Sequence, residues 1–401
     1  MKALEGIRVI DFTHDQAGPA CTQMLAWLGA DVIKIERPGV GDRARGLYPG
    51  PTPNPESYFF LLLNNNKRST VIDLKSEEGM AIARKMVEKA DVVTENLGPG
   101  AMDRLGLTWE NVHQLNPRAV YASVKGFGSY GPYADYKCFE MVAQAMSGVM
   151  SVTGYPDTPM VTGANVGDSG TGMHLAIAIL GALMQRERTG KGQRVEVAMQ
   201  EAALNLTRTK YAYTLTTGQP HPRTGNRSAS GNFTDLYRCA GDKPTDCVYL
   251  FLASDNPEAF KALAKITGRP DLLTDARFNT PQARIHHYDE MGEAITAWTR
   301  QHDKRSVMQT LSAAGIACGM VLDTTEVLAD PHLRERGTVF DIDHPTRGRM
   351  SMIGCPLRLS DSPVENRRAP MLGEHTGEVL QELFGYTAED IARLRRDKVI
   401  R

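Results

Sequence analysis

Cysteine is scarce in this chain of 401 residues: six thiols, Cys21, Cys138, Cys239, Cys247, Cys318 and Cys355, lie scattered, and none forms a C-x-x-C pair. Zinc knuckles and dithiol redox centres need that spacing, so these read as free thiols. Histidine does not replace them. The adjacent His286 and His287 would point about 100° apart on a helix, and no metal is expected. Charge of one sign is lacking as well, with 46 Lys and Arg against 47 Asp and Glu. No global field is present to hold DNA, RNA or an anionic membrane, so any anion site must be local. No apolar run approaches the length of a membrane span. The first twelve residues, charged at Lys2, Glu5, Arg8 and Asp11, do not form a secretory h-region. A cytoplasmic protein with no membrane or nucleic-acid partner is expected. The dinucleotide fingerprint G-x-G-x-x-G is also missing: the first strand runs into Thr13-His14-Asp15-Gln16-Ala17-Gly18-Pro19, so NAD is not expected.

What is present is an ordinary globular mixture, 41% hydrophobic and 23% charged, in a chain too long for a single core. Two domains follow. Residues 8–12, 17–28 and 31–36 alternate strand, helix and strand, which makes a βαβ unit. The pattern resumes with strands at 70–74, 92–95 and 119–124 and a helix at 77–90. A parallel sheet with right-handed helical crossovers is predicted, hence an α/β fold. After Asp168 a long helix, apolar on most sides, runs to Thr189-Gly190 and is expected to be buried. A strand at 194–198 and a long helix at 199–217 follow. Residues 219–246, rich in Pro, Gly, Asn, Ser and Thr, read as a loop between domains. Beyond it come a strand at 248–253 and helices at 257–266, 282–298 and 304–314, a smaller α+β domain ending near 329. Short extended pieces and two helices, 375–384 and 387–397, close the chain.

Ligands bind at the carboxyl ends of parallel strands. There the sequence places Arg37, Lys75 and the run Asn96-Leu97-Gly98-Pro99-Gly100, with Arg104 and Lys137 nearby. Together these cations and glycine-freed N–H groups suit a ligand with several phosphates; singly, each basic residue reads as a solvated surface charge. Gly18 and Pro19 either admit a ligand to the backbone or merely turn the chain into its helix. Asp168, in Gly167-Asp168-Ser169-Gly170-Thr171-Gly172, is a helix N-cap, a nucleophile, or both. A helix N-terminus would keep its carboxylate ionised, which suits attack on a carbonyl. Asp15 and Glu140 are further carboxylates whose spacing does not rank them.

Several stretches are less generic. Leu4-Glu5-Gly6-Ile7 leading into the first strand, Leu28-Gly29-Ala30-Asp31 through Glu36-Arg37-Pro38-Gly39, Asn66-Lys67-Arg68-Ser69, Glu95 to Gly100, Leu115-Asn116-Pro117-Arg118 and Leu372-Gly373-Glu374-His375-Thr376 resemble the class III CoA-transferases over nearly the whole chain. The members it looks most like are formyl-CoA:oxalate CoA-transferases, through residues 13–23 and Gly167-Asp168-Ser169. The resemblance implies a Rossmann-like large domain built from residues 1–222 and 330–401, a small domain at 223–329, and a homodimer of interlocked ring-like subunits. It implies Asp168 as nucleophile, forming aspartyl anhydride and aspartyl-CoA thioester intermediates. Gln16 would lie beside the reacting centre and Glu140 near the acyl site. Ala17, Arg37, Ile72, Asp73, Leu74, Lys75, Asn96, Leu97, Gly98, Arg104 and Lys137 would hold coenzyme A. Coenzyme A and acyl-CoA enter as substrates, with a small carboxylic acid as acceptor; no tightly bound cofactor is expected. The donor is formyl-, acetyl- or succinyl-CoA.

Three positions depart from formyl-CoA transferases: Leu47 where they tend to have tryptophan, Phe139 where they have tyrosine, and residues 227–233 in place of a glycine run over the site. Two rival readings stand beside the transferase. An α-methylacyl-CoA racemase would need a histidine near 134–137, and none lies between His113 and His174. A non-catalytic CoA-binding protein on the same fold has no need of Asp168.

Overall fold

The computed structural model describes residues 1–48, 56–228 and 231–401. They cluster into two compact units: Met1–Met150 with Val161–Gly218 and Leu333–Arg401, and Ser151–Met160 with Gln219–His332.

The first unit is built on a parallel sheet of six strands, β1 (Arg8–Asp11), β2 (Asp31–Glu36), β3 (Arg68–Val71), β4 (Val92–Glu95), β5 (Val120–Lys125) and β6 (Arg194–Ala198), in the order β3-β2-β1-β4-β5-β6. The third strand begins two residues earlier than the sequence suggests and stops at Val71. Beyond it Ile72 instead bridges Ile400 antiparallel, tying the sheet edge to the chain's end. Side-chain alternation sends neighbouring residues to opposite faces. Ile10, Ile33 and Val93 enter one core with the C-terminal Val379, Leu380 and Ile400. Val9, Val32, Val92, Val120 and Ala122 enter the other.

Helix α1 (Ala17–Trp27) follows β1 and is buried everywhere but at Met24. Pro19 falls in its first turn, where its missing N–H costs nothing. The short α2 (Glu140–Met146) and the long α3 (Ser169–Thr189) complete the elements that matter below. Gly190 ends α3 in the left-handed conformation, φ 72°. The expected burial of α3 holds on one side only: Leu175, Ile179 and Leu183 are buried, whereas Ile177 and Met184 are 68% and 66% exposed. The predicted helix at 199–217 is interrupted by a 3-10 turn at Arg208–Lys210.

The second unit contains a three-stranded antiparallel sheet, with Cys247–Leu252 between Phe233–Arg238 and Ala317–Met320. Phe233–Arg238 lies within the stretch read as loop. Its polar and glycine-rich flanks outweighed a short alternation that buries Phe233 and Tyr237. The helix expected at 282–298 is two helices, Pro281–His286 and Tyr288–Thr299, because His287 leaves helical geometry at ψ 42°. Among the described residues no helix is long and apolar enough to cross a membrane.

Candidate active site

The strand order reverses between β1 and β4, and in such sheets the crevice beyond the strand ends at that point receives the ligand. The two segments leaving β1 and β4 are tied to one another there. His14 donates its backbone N–H to Asn96 Oδ1 at 2.8 Å, and Asn96 Nδ2 returns a bond to the His14 carbonyl at 2.8 Å. Between them Asp15 adopts φ 62°, a left-handed conformation that Asp tolerates better than most residues.

Asp168 arrives at the same place because α1 and α3 cross in backbone contact. A Cβ on Gly172 would lie 2.6 Å from the Ala17 carbonyl and 2.9 Å from Ala20 Cβ, so only glycine allows the approach. Gln16 Nε2 then reaches Ser169 Oγ at 3.0 Å. Behind the turn, Glu140 of α2 accepts the N–H groups of Gly167 at 3.0 Å and Asp168 at 2.5 Å, and Gln144 Nε2 at 2.7 Å. Its buried carboxylate is thus spent on holding the backbone under Asp168.

The Asp168 side chain makes no capping bond to α3, which corrects the expectation of an N-cap kept ionised by the helix. Burial, then the charges of Glu140 and Asp15, raise its carboxyl to about 7. The same burial, with Asp168 and Glu140 nearby, raises the Cys138 thiol to about 11. That thiol stays protonated at neutral pH and is a poor nucleophile.

Asp168 faces a cavity of about 500 Å³, and of the predicted site residues Gln16, Ala17, Asn96, Leu97, Gly98 and Lys137 share its wall. Glu140, Arg37, Arg104 and residues 72–75 are not on that wall. Ile72 is fully buried and Asp73 bonds the Val399 carbonyl through its N–H at 2.8 Å. Arg104 folds over the glycine turn, its Nη1 3.1 Å from where a Gly100 Cβ would stand. Arg37 and Lys75 are exposed beyond β2 and β3, on the same edge of the sheet as the cavity.

Two cations on the wall escaped the sequence reading. Lys125, the last residue of β5, stands 2.8 Å from Glu95 Oε1 and donates to the Leu97 carbonyl at 3.3 Å. The strand-end rule that selected Arg37 and Lys75 applies equally to it. Arg43 grips Asp15 through two bonds of 2.9 and 2.8 Å; nothing local marked it. Leu47 and Phe139, two of the three departures, also line the cavity. In the third, 227–233, Ala229 and Ser230 lie outside the described residues.

Compared with known proteins, residues 4–376 match CoA-transferase family III. A formyl-CoA:oxalate CoA-transferase of Streptomyces avermitilis is 45% identical over 413 residues, covering the full length of both chains. One from Rhodopseudomonas palustris is 42% identical over 411 residues, covering 98% of this chain and 96% of the relative. Among solved structures, a CAIB/BAIF family protein from Brucella suis superposes with a TM-score of 0.84 at 32% identity, covering 95% of this chain and 99% of the other.

Proposed function

The chain belongs to CoA-transferase family III, an enzyme family, and from that premise we propose that it moves coenzyme A from formyl-CoA or a similar short acyl-CoA to a small acid such as oxalate, with Asp168 as covalent nucleophile. The observation that carries this reading is the Asp168 carboxyl: half-buried, free of its helix, and facing a cavity beside Gln16.

In the proposed sequence an Asp168 oxygen attacks the thioester carbonyl, the C–S bond breaks, and an acyl-aspartyl anhydride and CoA thiolate form. The thiolate attacks the aspartyl carbon of the anhydride and releases the donor acid. The acceptor carboxylate then attacks the aspartyl-CoA thioester, expelling thiolate again. Attack by that thiolate on the acceptor's own carbonyl frees Asp168 and the new acyl-CoA. No proton is consumed, and no step requires water. Covalent catalysis in this form splits one difficult exchange into easier ones. Gln16, a neutral donor at the reacting centre, is suited to bind developing negative charge. Glu140 acts from behind, by fixing the Gly167 and Asp168 amides.

Coenzyme A is too long for the cavity alone. In this reading its pantetheine arm passes Asn96, Leu97 and Gly98, and its phosphates meet Lys137 and Arg104. Its nucleotide end reaches the β2 and β3 ends at Arg37 and 73–75, the buried Ile72 being out of its reach, on the large domain proposed for 1–222 and 330–401. Among the described residues the cavity wall carries no histidine, which favours the transferase over a racemase needing a second base. A homodimer is part of the proposal, supported by the apolar side chains left open on 140–146, 169–189 and 199–217.

The test is direct: formyl-CoA or acetyl-CoA is incubated with oxalate and the protein, and oxalyl-CoA is sought. Asp168→Ala is expected to bind coenzyme A yet abolish exchange; more than a small residual rate in that variant would refute the nucleophile.

A further inference from the structure

Four ionisable residues the reaction does not use, Asp11, Lys34, Asp42 and Lys67, lie beneath the 13–16 turn, each at most 4% exposed and none on the cavity wall. Stability does not explain them, since well-packed apolar residues commonly replace buried ion pairs without loss. Their remaining contacts do. Lys34 Nζ is 2.8 Å from Asp42 Oδ2 and donates to the Thr13 carbonyl at 2.5 Å. Asp42 Oδ1 accepts the N–H of Asp15 at 3.1 Å and of Ala44 at 2.9 Å, and stands 3.6 Å from His14 Nδ1. Asp11, paired with Lys67, accepts the Thr13 N–H at 2.8 Å.

Thr13 and Asp15 are therefore both held by one lysine–aspartate pair, with the His14 ring between them 3.6 Å from the same aspartate. The next residue is Gln16, whose amide reaches Ser169 beside Asp168. The turn gains from such support, because a left-handed residue costs free energy even where, as at Asp15, the side chain tolerates it better than most. Burial opposes charge on both partners, yet Lys34 and His14 hold Asp42 below the usual carboxylate range, and Asp42 and Asp11 raise Lys34.

We propose that Asp42, locked by Lys34, is a positioning residue that sets Gln16 against Asp168. The assignment rests on the proposed function. It is tested by a double-mutant cycle on the full chain, Asp42→Asn, Gln16→Ala and both together, with kcat and KM for CoA transfer. Asp42→Asn is expected to lower kcat on the order of 10- to 100-fold, as a small misplacement of a reacting group does. KM for the acyl-CoA should stay within about threefold, the mark of an interaction that matters in the transition state. With Gln16 already alanine, Asp42→Asn should have little further effect, because the two act as one unit. A general loosening of the fold would instead multiply the two losses. Multiplying losses, or a normal kcat in folded Asp42→Asn, overturn the assignment. Should Asp42→Asn not fold, Lys34→Gln passes through the same cycle and is judged by the same criterion. Absence of exchange by the unaltered chain overturns the proposed function, and this assignment with it.

Discussion

Burial and two neighbouring carboxylates, Glu140 and Asp15, act on Asp168 together, and all three influences favour its protonated form. The nucleophile in the proposed mechanism is the ionised form, so kcat/KM should rise with pH through about 7 and level off above it. A profile flat from pH 5 to 8 would contradict this. The same shift has a stability consequence of opposite sense. The folded-state pKa lies above the unfolded one, so the cost is absent below about 4, grows between about 4 and about 7, and is full above that. Taken whole it is at most about 4 kcal/mol, and water in the half-open cavity reduces it to about 2 kcal/mol. Asp168→Asn should therefore be inactive yet more stable than the parent at pH 8, with the difference gone at pH 4. Urea unfolding at the two pH values checks it.

The element on which the site depends is the α1–α3 crossing. Composition marked Gly172 as one small residue among several after Asp168, but not what it touches. The structure puts the Ala17 carbonyl 2.6 Å and the Cys21 nitrogen 2.9 Å from any Cβ there. Both are backbone atoms, which yield less readily than side-chain tips. Gly172→Ala should destabilise by about 1–3 kcal/mol, the usual result of overpacking. By parting the helices it should also lower kcat more than Gly181→Ala, whose added methyl meets nothing within 4 Å. Equal melting temperatures and rates in the two variants would show that the crossing tolerates separation.

At the scale of the whole molecule, the open apolar faces have to be accounted for. Ile177, Met184 and Leu215 are 68%, 66% and 86% exposed, and Met141, Met173, Tyr211 and Tyr213 are exposed as well. Large apolar side chains left open to water in such numbers mark a face that a partner covers. Sedimentation should give twice the chain mass of 44.0 kDa. Ile177→Arg with Met184→Glu should shift it toward the single chain. An unaltered chain that sediments at 44.0 kDa at micromolar concentration would remove the dimer from the proposal.

The sequence by itself determined the parallel sheet, because β-branched runs alternating with amphipathic stretches have few other ways to bury both faces. It also marked the strand-end cations and Asp168, whose flanking glycines and following apolar run are local features. What it could not determine was set by contacts between distant residues. That the Asp168 carboxyl is raised to about 7 depends on its burial and then on Glu140 and Asp15, 28 and 153 positions away in number. The roles of Lys34 and Asp42, a strand lysine and a loop aspartate with no motif, exist only once β2 lies beside β1. Periodicity reports which face a residue takes; only the packed chain decides which charge stands opposite.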